Sequence, residues 1–296
     1  MLRDECDGLN EVIILNYFTS KTVYGKLKVT CRLECLMTRN FELKRDQILV
    51  LIAKDFKLKY NSTALGFVWS MIVPIFTSIV YFFVFTILVR FGTKNYMLYL
   101  LCGNFLWHFF SSVVMMNGRV LLSNASLLKK TSFDRKLLIW GTFFTESIHF
   151  FLTIPILAGV MAFYGITPQW WSILPNFLLI FVSILFLSVG IGYAYAAINL
   201  QFRDMERIMT VIMQAWMFMT PIFIPIDVVR EKLGGLAWIY ETLNPMTGIL
   251  CTWRDIFYQP GFHPERFIYI LSMSLVVFFI GRAIFKKCEP QFAERM

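Results

Sequence analysis

From Ala64 to Val89 the chain runs 26 residues without a charge, and the run ends at Arg90. About 20 apolar helical residues cross the roughly 30 Å hydrocarbon core of a bilayer, so this stretch is long enough by itself. Similar runs recur at about 96–116, 137–164, 170–198, 208–226 and 267–285, separated by short polar breaks. The last is the shortest, with 15 uncharged residues before Arg282, but an arginine at a helix end can snorkel to the headgroups. A soluble helical protein would carry a polar face on most helices, and five of these six segments carry almost none. The expected fold is therefore an all-α integral membrane protein with six transmembrane helices. Composition agrees: 57% of residues are hydrophobic and 16% charged, against roughly 45–50% and 25% in soluble domains. The first apolar run starts after residue 60, so no cleavable secretory signal is expected.

The distribution of charge sets the expected orientation. With an inside N-terminus, the segments 1–63, 117–136, 199–207 and 282–296 hold 22 of the 28 Lys and Arg residues. Short loops rich in Lys and Arg stay on the cytoplasmic side, which predicts a multi-pass protein of the cytoplasmic (inner) membrane with both termini inside. The net charge of +9 then reports topology and contact with anionic membrane lipid; no nucleic-acid partner is expected. The six cysteines form no framework and no zinc set: Cys31 and Cys35 lack a second pair or a nearby histidine. They read as free thiols in a reducing compartment.

Four segments follow along the chain. Residues 1–40 are a mixed extension of unknown role, and Met37 is an alternative start. Residues 41–63 read as an amphipathic helix at the cytoplasmic membrane surface, with Ile48, Leu49, Ile52, Phe56 and Tyr60 on one stripe. Residues 64–285 hold the six spans, and 286–296 form a cytoplasmic tail. Asn61, Ser62 and Thr63 offer an N-cap to the first span. Pro74, Pro155, Pro175, Pro221 and Pro225 fall within spans, where neighbouring helices can satisfy the carbonyls they free; they suit either a bundle that bends or ordinary packing. The outer segment 227–266 holds two apolar patches, 233–240 and 246–253, each too short to cross. Asn244 and Pro245 read as N-cap and first residue of a second short helix. The pair of patches predicts a re-entrant helical hairpin between spans five and six, with Asn244 and Pro245 at an outer gate.

Catalytic chemistry is sparse. No G-x-x-x-x-G-K-[ST] phosphate loop occurs, so ATP is not bound by that route, and no H-E-x-x-H or G-x-S-x-G appears. No catalytic residue and no metal ligand is assigned. Glu146 and His149 share a helical face in the third span, where an ionisable residue is costly and faces a bundle interior. They read as a polar patch on a translocation path, an acid/base pair, or a locally satisfied interhelical contact. Trp170 and Trp171 fit an interfacial belt. Trp69, Tyr81, Tyr193, Tyr195 and Trp216 lie within spans near Ser78, Asn199 and Gln214. Their rings are apolar platforms for the C–H faces of sugars, or core filling.

Five ordered stretches carry a resemblance. They are Lys59-Tyr60-Asn61-Ser62-Thr63-Ala64-Leu65-Gly66-Phe67-Val68-Trp69-Ser70 with Pro74, and 113–135 with Leu122-Ser123-Asn124-Ala125-Ser126-Leu127-Leu128-Lys129-Lys130. Asn199-Leu200-Gln201-Phe202-Arg203-Asp204, Thr220-Pro221-Ile222-Phe223-Ile224-Pro225 and Leu243-Asn244-Pro245-Met246-Thr247-Gly248 follow. Together, over about 41–285, they resemble the permease subunits of ABC-2-type exporters of polysaccharides, as in O-antigen, capsule and teichoic acid export. Phe133-Asp134-Arg135 departs from the family's F-P-R, and residues 1–40 match nothing in it.

The resemblance implies a homodimer paired with two copies of a separate ATPase subunit, which holds ATP and Mg2+, while this chain binds no cofactor and is no enzyme. It implies passage of a lipid-linked polysaccharide; a polymer shedding its hydration needs aromatic faces interspersed with polar groups, so Trp69, Tyr81, Tyr193, Tyr195 and Trp216, with Glu146, are the candidates within the spans for the channel at a homodimer axis. It also implies that the interface helix and loops 117–136 and 199–207 dock on the ATPases through Asn124, Lys129, Lys130, Arg135, Arg203 and Asp204. The alternatives are an exporter of a small lipid or drug and a membrane-embedded transferase.

Overall fold

A computed structural model describes residues 43–57, 66–89, 95–130, 133–166, 170–202, 204–258 and 264–292. Two units divide the chain, 1–47 and 48–296. Of the first, only 43–47 is described, as the start of a helix, and the extension 1–40 lies outside the described residues.

Among the described residues every regular element is helical. Helix α1 covers 43–57. Helix α2, Gly66–Phe83, runs on into a π-helical stretch, Val84–Val89. Next come α3 (Tyr96–Ser123), the short α4 (Ala125–Lys130), α5 (Arg135–Phe163) and α6 (Trp170–Gln201). Helix α7 (Met205–Met219) is followed by three short helices, α8 (Ile226–Leu233), α9 (Ala237–Leu243) and α10 (Pro245–Tyr258), and then by α11 (Pro264–Cys288).

Among the described residues four helices are long and apolar enough to cross a membrane: Tyr96–Ser123, Arg135–Phe163, Ile173–Gln201 and Glu265–Gln291. They take opposite places in the bundle. In α3, 78% of the apolar window is buried inside the protein, against 22% in α11. Helix α3 is the central post, so it tolerates Asn104 and Asn117 within its length, whereas α11 turns most of its apolar surface outward. Helices α6 and α11 meet through small residues. A side chain on Gly281 would run into the Gly190 carbonyl, and one on Gly190 would come 2.6 Å from the Phe278 backbone. Such backbone approach is the usual means of helix association in apolar surroundings, where van der Waals contact replaces the hydrophobic drive.

The fifth predicted span ends early. Helix α7 stops at Met219, and Thr220–Pro225 is turn and extended chain, because Pro221 and Pro225 bracket a segment that cannot continue a helix. The amphipathic helix carries its contact on a residue outside the expected stripe. Leu51 is buried against Gly141, whereas Leu49 and Val50 are 55% and 68% exposed. Tyr60 and the capping residues Asn61–Thr63 lie outside the described residues.

Pro74 sits inside α2, and its carbonyl accepts from Ser78 Oγ at 2.7 Å and from Asn104 Nδ2 of α3 at 2.9 Å. Asn104 Nδ2 also lies 2.9 Å from Thr77 Oγ1 and 2.8 Å from Ser78 Oγ. One buried amide thus ties the proline turn of α2 to the central helix. The opposite face of α2 is bare: Phe76, Val80, Phe83 and Ile87 recur at helical spacing and are 43–64% exposed.

Candidate functional site

The two ends of the bundle are built differently. At the end where α3 begins, Asn95 caps the helix with φ 55°, a left-handed conformation that Asn adopts more readily than most residues. The turn after α7 lies here, and a single residue of α10 holds it. Arg254 is 5% exposed. Its Nη1 donates to the Pro221 carbonyl at 2.5 Å and to Tyr99 Oη at 2.6 Å. Its Nη2 donates to the Ile222 carbonyl at 2.8 Å and the Tyr99 carbonyl at 3.3 Å. The guanidinium also lies 3.4 Å from the centre of the Tyr99 ring.

No carboxylate among the described residues pairs with Arg254. A buried charge without a counterion is costly, and here backbone oxygens just beyond the C-terminus of α7, where the helix dipole is negative, take the place of an anion. The planar fork of five donors suits several carbonyls at once. Gly103 leaves the room: a Cβ there would lie 2.7 Å from Arg254 Nη2. Further bonds fasten the same end of the bundle. Tyr96 Oη donates to the Phe223 carbonyl at 2.8 Å, Tyr258 Oη to the Asn95 carbonyl at 2.9 Å, and Trp253 Nε1 to the Cys102 carbonyl at 3.1 Å.

Asn244 is the second centre of this end. Its Oδ1 accepts from Met246 N at 3.1 Å, the N-cap bond expected for α10 with Pro245 in its first turn. The same oxygen accepts from Trp216 Nε1 at 2.9 Å, while Nδ2 donates to the Met219 carbonyl at 3.1 Å and Thr220 Oγ1 at 3.0 Å. Asn244 therefore joins the end of α7 to the start of α10, and brings Trp216 and Asn244, 28 residues apart, into direct contact.

The opposite end is held by polar contacts nearer the surface. Lys54 of α1 bonds Asn124 Oδ1, and Asn124 Nδ2 donates to the Val120 carbonyl at 2.8 Å. Arg119 of α3 pairs with Glu206 of α7, side chains 55% and 40% exposed. Asp134 caps α5 by accepting from Lys136 N at 3.1 Å. Arg135 donates to the Glu289 carbonyl at 3.0 Å and lies over the Phe292 ring. Lys129 and Asp204 are exposed; Arg203 and the side chain of Lys130 lie outside the described residues.

The aromatic candidates are dispersed. Tyr81 is half-buried, edge-on to Phe223 at 4.6 Å. Trp216 is half-buried against Phe110 and Trp107. Tyr193 and Tyr195 are 2% and 3% exposed. Tyr193 accepts from Trp140 Nε1 at 2.9 Å, and the Tyr195 ring fills the space over Gly118. The side chain of Trp69 lies outside the described residues. Glu146 and His149 are buried and, with Pro74, Thr153 and the exposed His108, line a cavity of about 30 Å³, and Phe56 of α1 stacks on the His149 ring at 5.1 Å. A cavity of that size holds about one water molecule and leaves no space for a reacting substrate.

Sequence reasoning passed over Arg254, Tyr99 and Tyr96. The signal was present in part: an arginine within an apolar patch, bounded by Trp253 and Ile256, has to find a buried partner.

The model of the ABC-2 type transporter family matches residues 46–258. Over 252 residues the chain is 31% identical to an O-antigen export system permease protein of Klebsiella pneumoniae, covering 84% of this chain and 94% of the relative. A permease of the same name from Myxococcus xanthus is 26% identical over 259 residues, 87% of this chain and 98% of that one. A polysialic acid transport protein of Escherichia coli is 20% identical over 256 residues, 84% and 96% respectively. The matched segment begins within α1 and closes on the last residue of α10, so it takes in both the Asn124 contact and the Arg254 turn: the chain belongs to the ABC-2 type transporter family.

Proposed function

We propose that this chain is the permease subunit of an exporter that carries a lipid-linked polysaccharide from the cytoplasmic to the outer face of the inner membrane. The observation that carries the reading is near full-length similarity to O-antigen export permeases, joined to a helical chain whose sequence has no phosphate loop. Hydrolysis then belongs to a separate ATPase subunit, which binds ATP and Mg2+; two copies pair with two permeases.

In this reading α2 and α7 are the two further spans. Residues 66–89 rise about 36 Å as helix, enough to cross. Helix α7 rises only about 22 Å, and the turn Thr220–Pro225 completes the passage. Both carry apolar side chains that are exposed among the described residues: Phe76, Val80, Phe83 and Ile87 on α2, and Ile208, Val211, Phe218 and Met219 on α7. A second copy and the lipid would cover them, and Trp69, Tyr81 and Trp216 would then border a path at the dimer axis. Tyr193, Tyr195 and Glu146 would reach that path only through a rearrangement of α5 and α6. The Asn124 end faces the cytoplasm by its Lys and Arg content, so the Lys54–Asn124 contact, with Lys129, Lys130, Arg135, Arg203 and Asp204, lies where an ATPase would dock. Helices α9 and α10, hinged at Asn244 and Pro245, form the outer hairpin that closes the path.

The test is genetic and biochemical. Deleting the chain should abolish surface glycan and leave the lipid-linked precursor on the inner face; pull-down should recover an ATPase in equal numbers. Surface glycan unchanged by the deletion overturns the reading.

A further inference from the structure

The charged surface between α8 and α11 is used by nothing described so far. A cavity of about 420 Å³ opens there, with Arg230 of α8, Trp238 and Glu241 of α9, and Glu265, Arg266 and Tyr269 of α11 on its walls. Its volume falls within the roughly 300–1,000 Å³ of small-molecule clefts. Its charges balance, two arginines against two glutamates, and the arginines are already engaged. Arg230 binds Glu241 through two bonds, 2.6 and 3.0 Å, and Arg266 pairs with Asp255 at 2.5 Å.

That pairing selects a ligand class. A phosphate or a lipid headgroup would meet arginines whose charge is already offset by Glu241, Asp227 and Asp255, with the Glu265 carboxylate on the same walls. A neutral hydroxyl both donates and accepts, so it can add to a preformed arginine–carboxylate pair and leave it intact. Arg230 keeps donors beyond the two given to Glu241, and carboxylate oxygens keep free lone pairs. Trp238 and Glu241 are three residues apart on one face of α9, which sets a ring beside the paired carboxylate. Trp238 is 65% exposed, and its ring offers an apolar face to the C–H side of a pyranose. Behind it, Asn244 and Arg254 fix α10, so the wall is held from the core.

We infer that this cleft binds a short stretch of neutral sugar residues as the glycan leaves the outer mouth of the transporter. The inference rests on the polysaccharide-export reading and names a site that the channel itself does not include.

The experiment uses the chain with its ATPase in lipid nanodiscs and saturation-transfer NMR with three probes: mannotriose, galactotriose and rhamnotriose. At least one should receive saturation from the protein. Glu241→Gln should weaken binding by about tenfold or more, the scale of one lost charge-assisted bond, and Trp238→Ala by up to about tenfold through loss of the ring face. Trp238→Phe should retain most of it, and Glu231→Gln, at an exposed position of α8 outside the cleft walls, should not change it. Should Trp238→Ala fail to fold, Glu241→Gln and Glu265→Gln read the same walls. Saturation of none of the three probes, an unaltered signal in both Trp238→Ala and Glu241→Gln, or displacement of the sugar by inorganic phosphate overturns the inference. The two readings fail separately. Glycan export without saccharide binding removes the cleft alone; surface glycan that survives deletion of the chain removes the export reading.

Discussion

The Arg254 end and the Asn124 end of the same bundle are fastened by opposite means. At the first, a buried guanidinium, three tyrosine hydroxyls and an asparagine tie backbone oxygens of α3, α7 and the turn after α7. At the second, the ties between helices include a partly exposed lysine–asparagine bond and a solvated arginine–glutamate pair. Buried bonds to a charged donor contribute roughly 1.5–3 kcal/mol each, and exposed ion pairs about 0–1. The contrast teaches where this molecule can yield. An end held by solvated pairs can exchange partners at little cost, as a docking surface must. An end held by a buried cation moves as a block or not at all.

The largest expected effect breaks that contrast at its strongest point. Arg254→Met leaves several buried oxygens without a donor and should lower stability by about 3–5 kcal/mol, read as reduced membrane accumulation and an earlier melting transition in detergent. Arg254→Lys, a point charge without the planar fork, should recover only part. A Met variant as stable as the parent would mean that the turn does not depend on this residue.

Asn244→Ala comes next. It removes the α10 cap and the bond to Trp216, and about 1–2 kcal/mol should go with them. Near-ultraviolet circular dichroism should report the freed indole as well.

At the other end, Arg119→Gln should change stability by less than about 1 kcal/mol, and even that difference should shrink in high salt. If α7 transmits ATPase closure, surface glycan should fall more than stability does. A large loss of stability would show that this end is not the pliant one.

The smallest effect sharpens the comparison within the outer end itself. The bond from Arg230 holds the Glu241 carboxyl below its ordinary value of 4.5. A depressed folded pKa contributes its full stabilisation above the ordinary value; that contribution declines as pH falls below about 4.5 and is gone once pH has passed through the lower, folded value. Glu241→Gln should cost less than about 1 kcal/mol at neutral pH, and the gap to the parent should close only in stronger acid. The strength of this end then comes from burial, not from charge pairs as such.

Much of the arrangement was legible. Run lengths gave four of the long helices, and Asn244-Pro245 gave the start of α10, because capping is a local matter of one side chain and two backbone groups. The stripe of α1 was read only in part: helical phase set Leu49 on the face meant for the membrane surface, and it is Leu51, off that stripe, that is buried against Gly141. The Thr220–Pro225 motif was visible as a motif but not for its reason, since Tyr99 and Arg254 stand 155 positions apart.

By itself the sequence determined the apolar runs, the helical class and the segments in which the positive charge gathers. Those follow from local composition and from run lengths set against bilayer thickness. Tertiary structure alone decided that Arg254 would serve three carbonyls, that Trp216 would meet Asn244, and that Tyr193 and Tyr195 would turn into the protein. In an apolar medium a buried polar group has to be satisfied by whatever the packed helices bring within reach. Which group that is depends on helix register and rotation, and no stretch of chain shorter than the bundle encodes them.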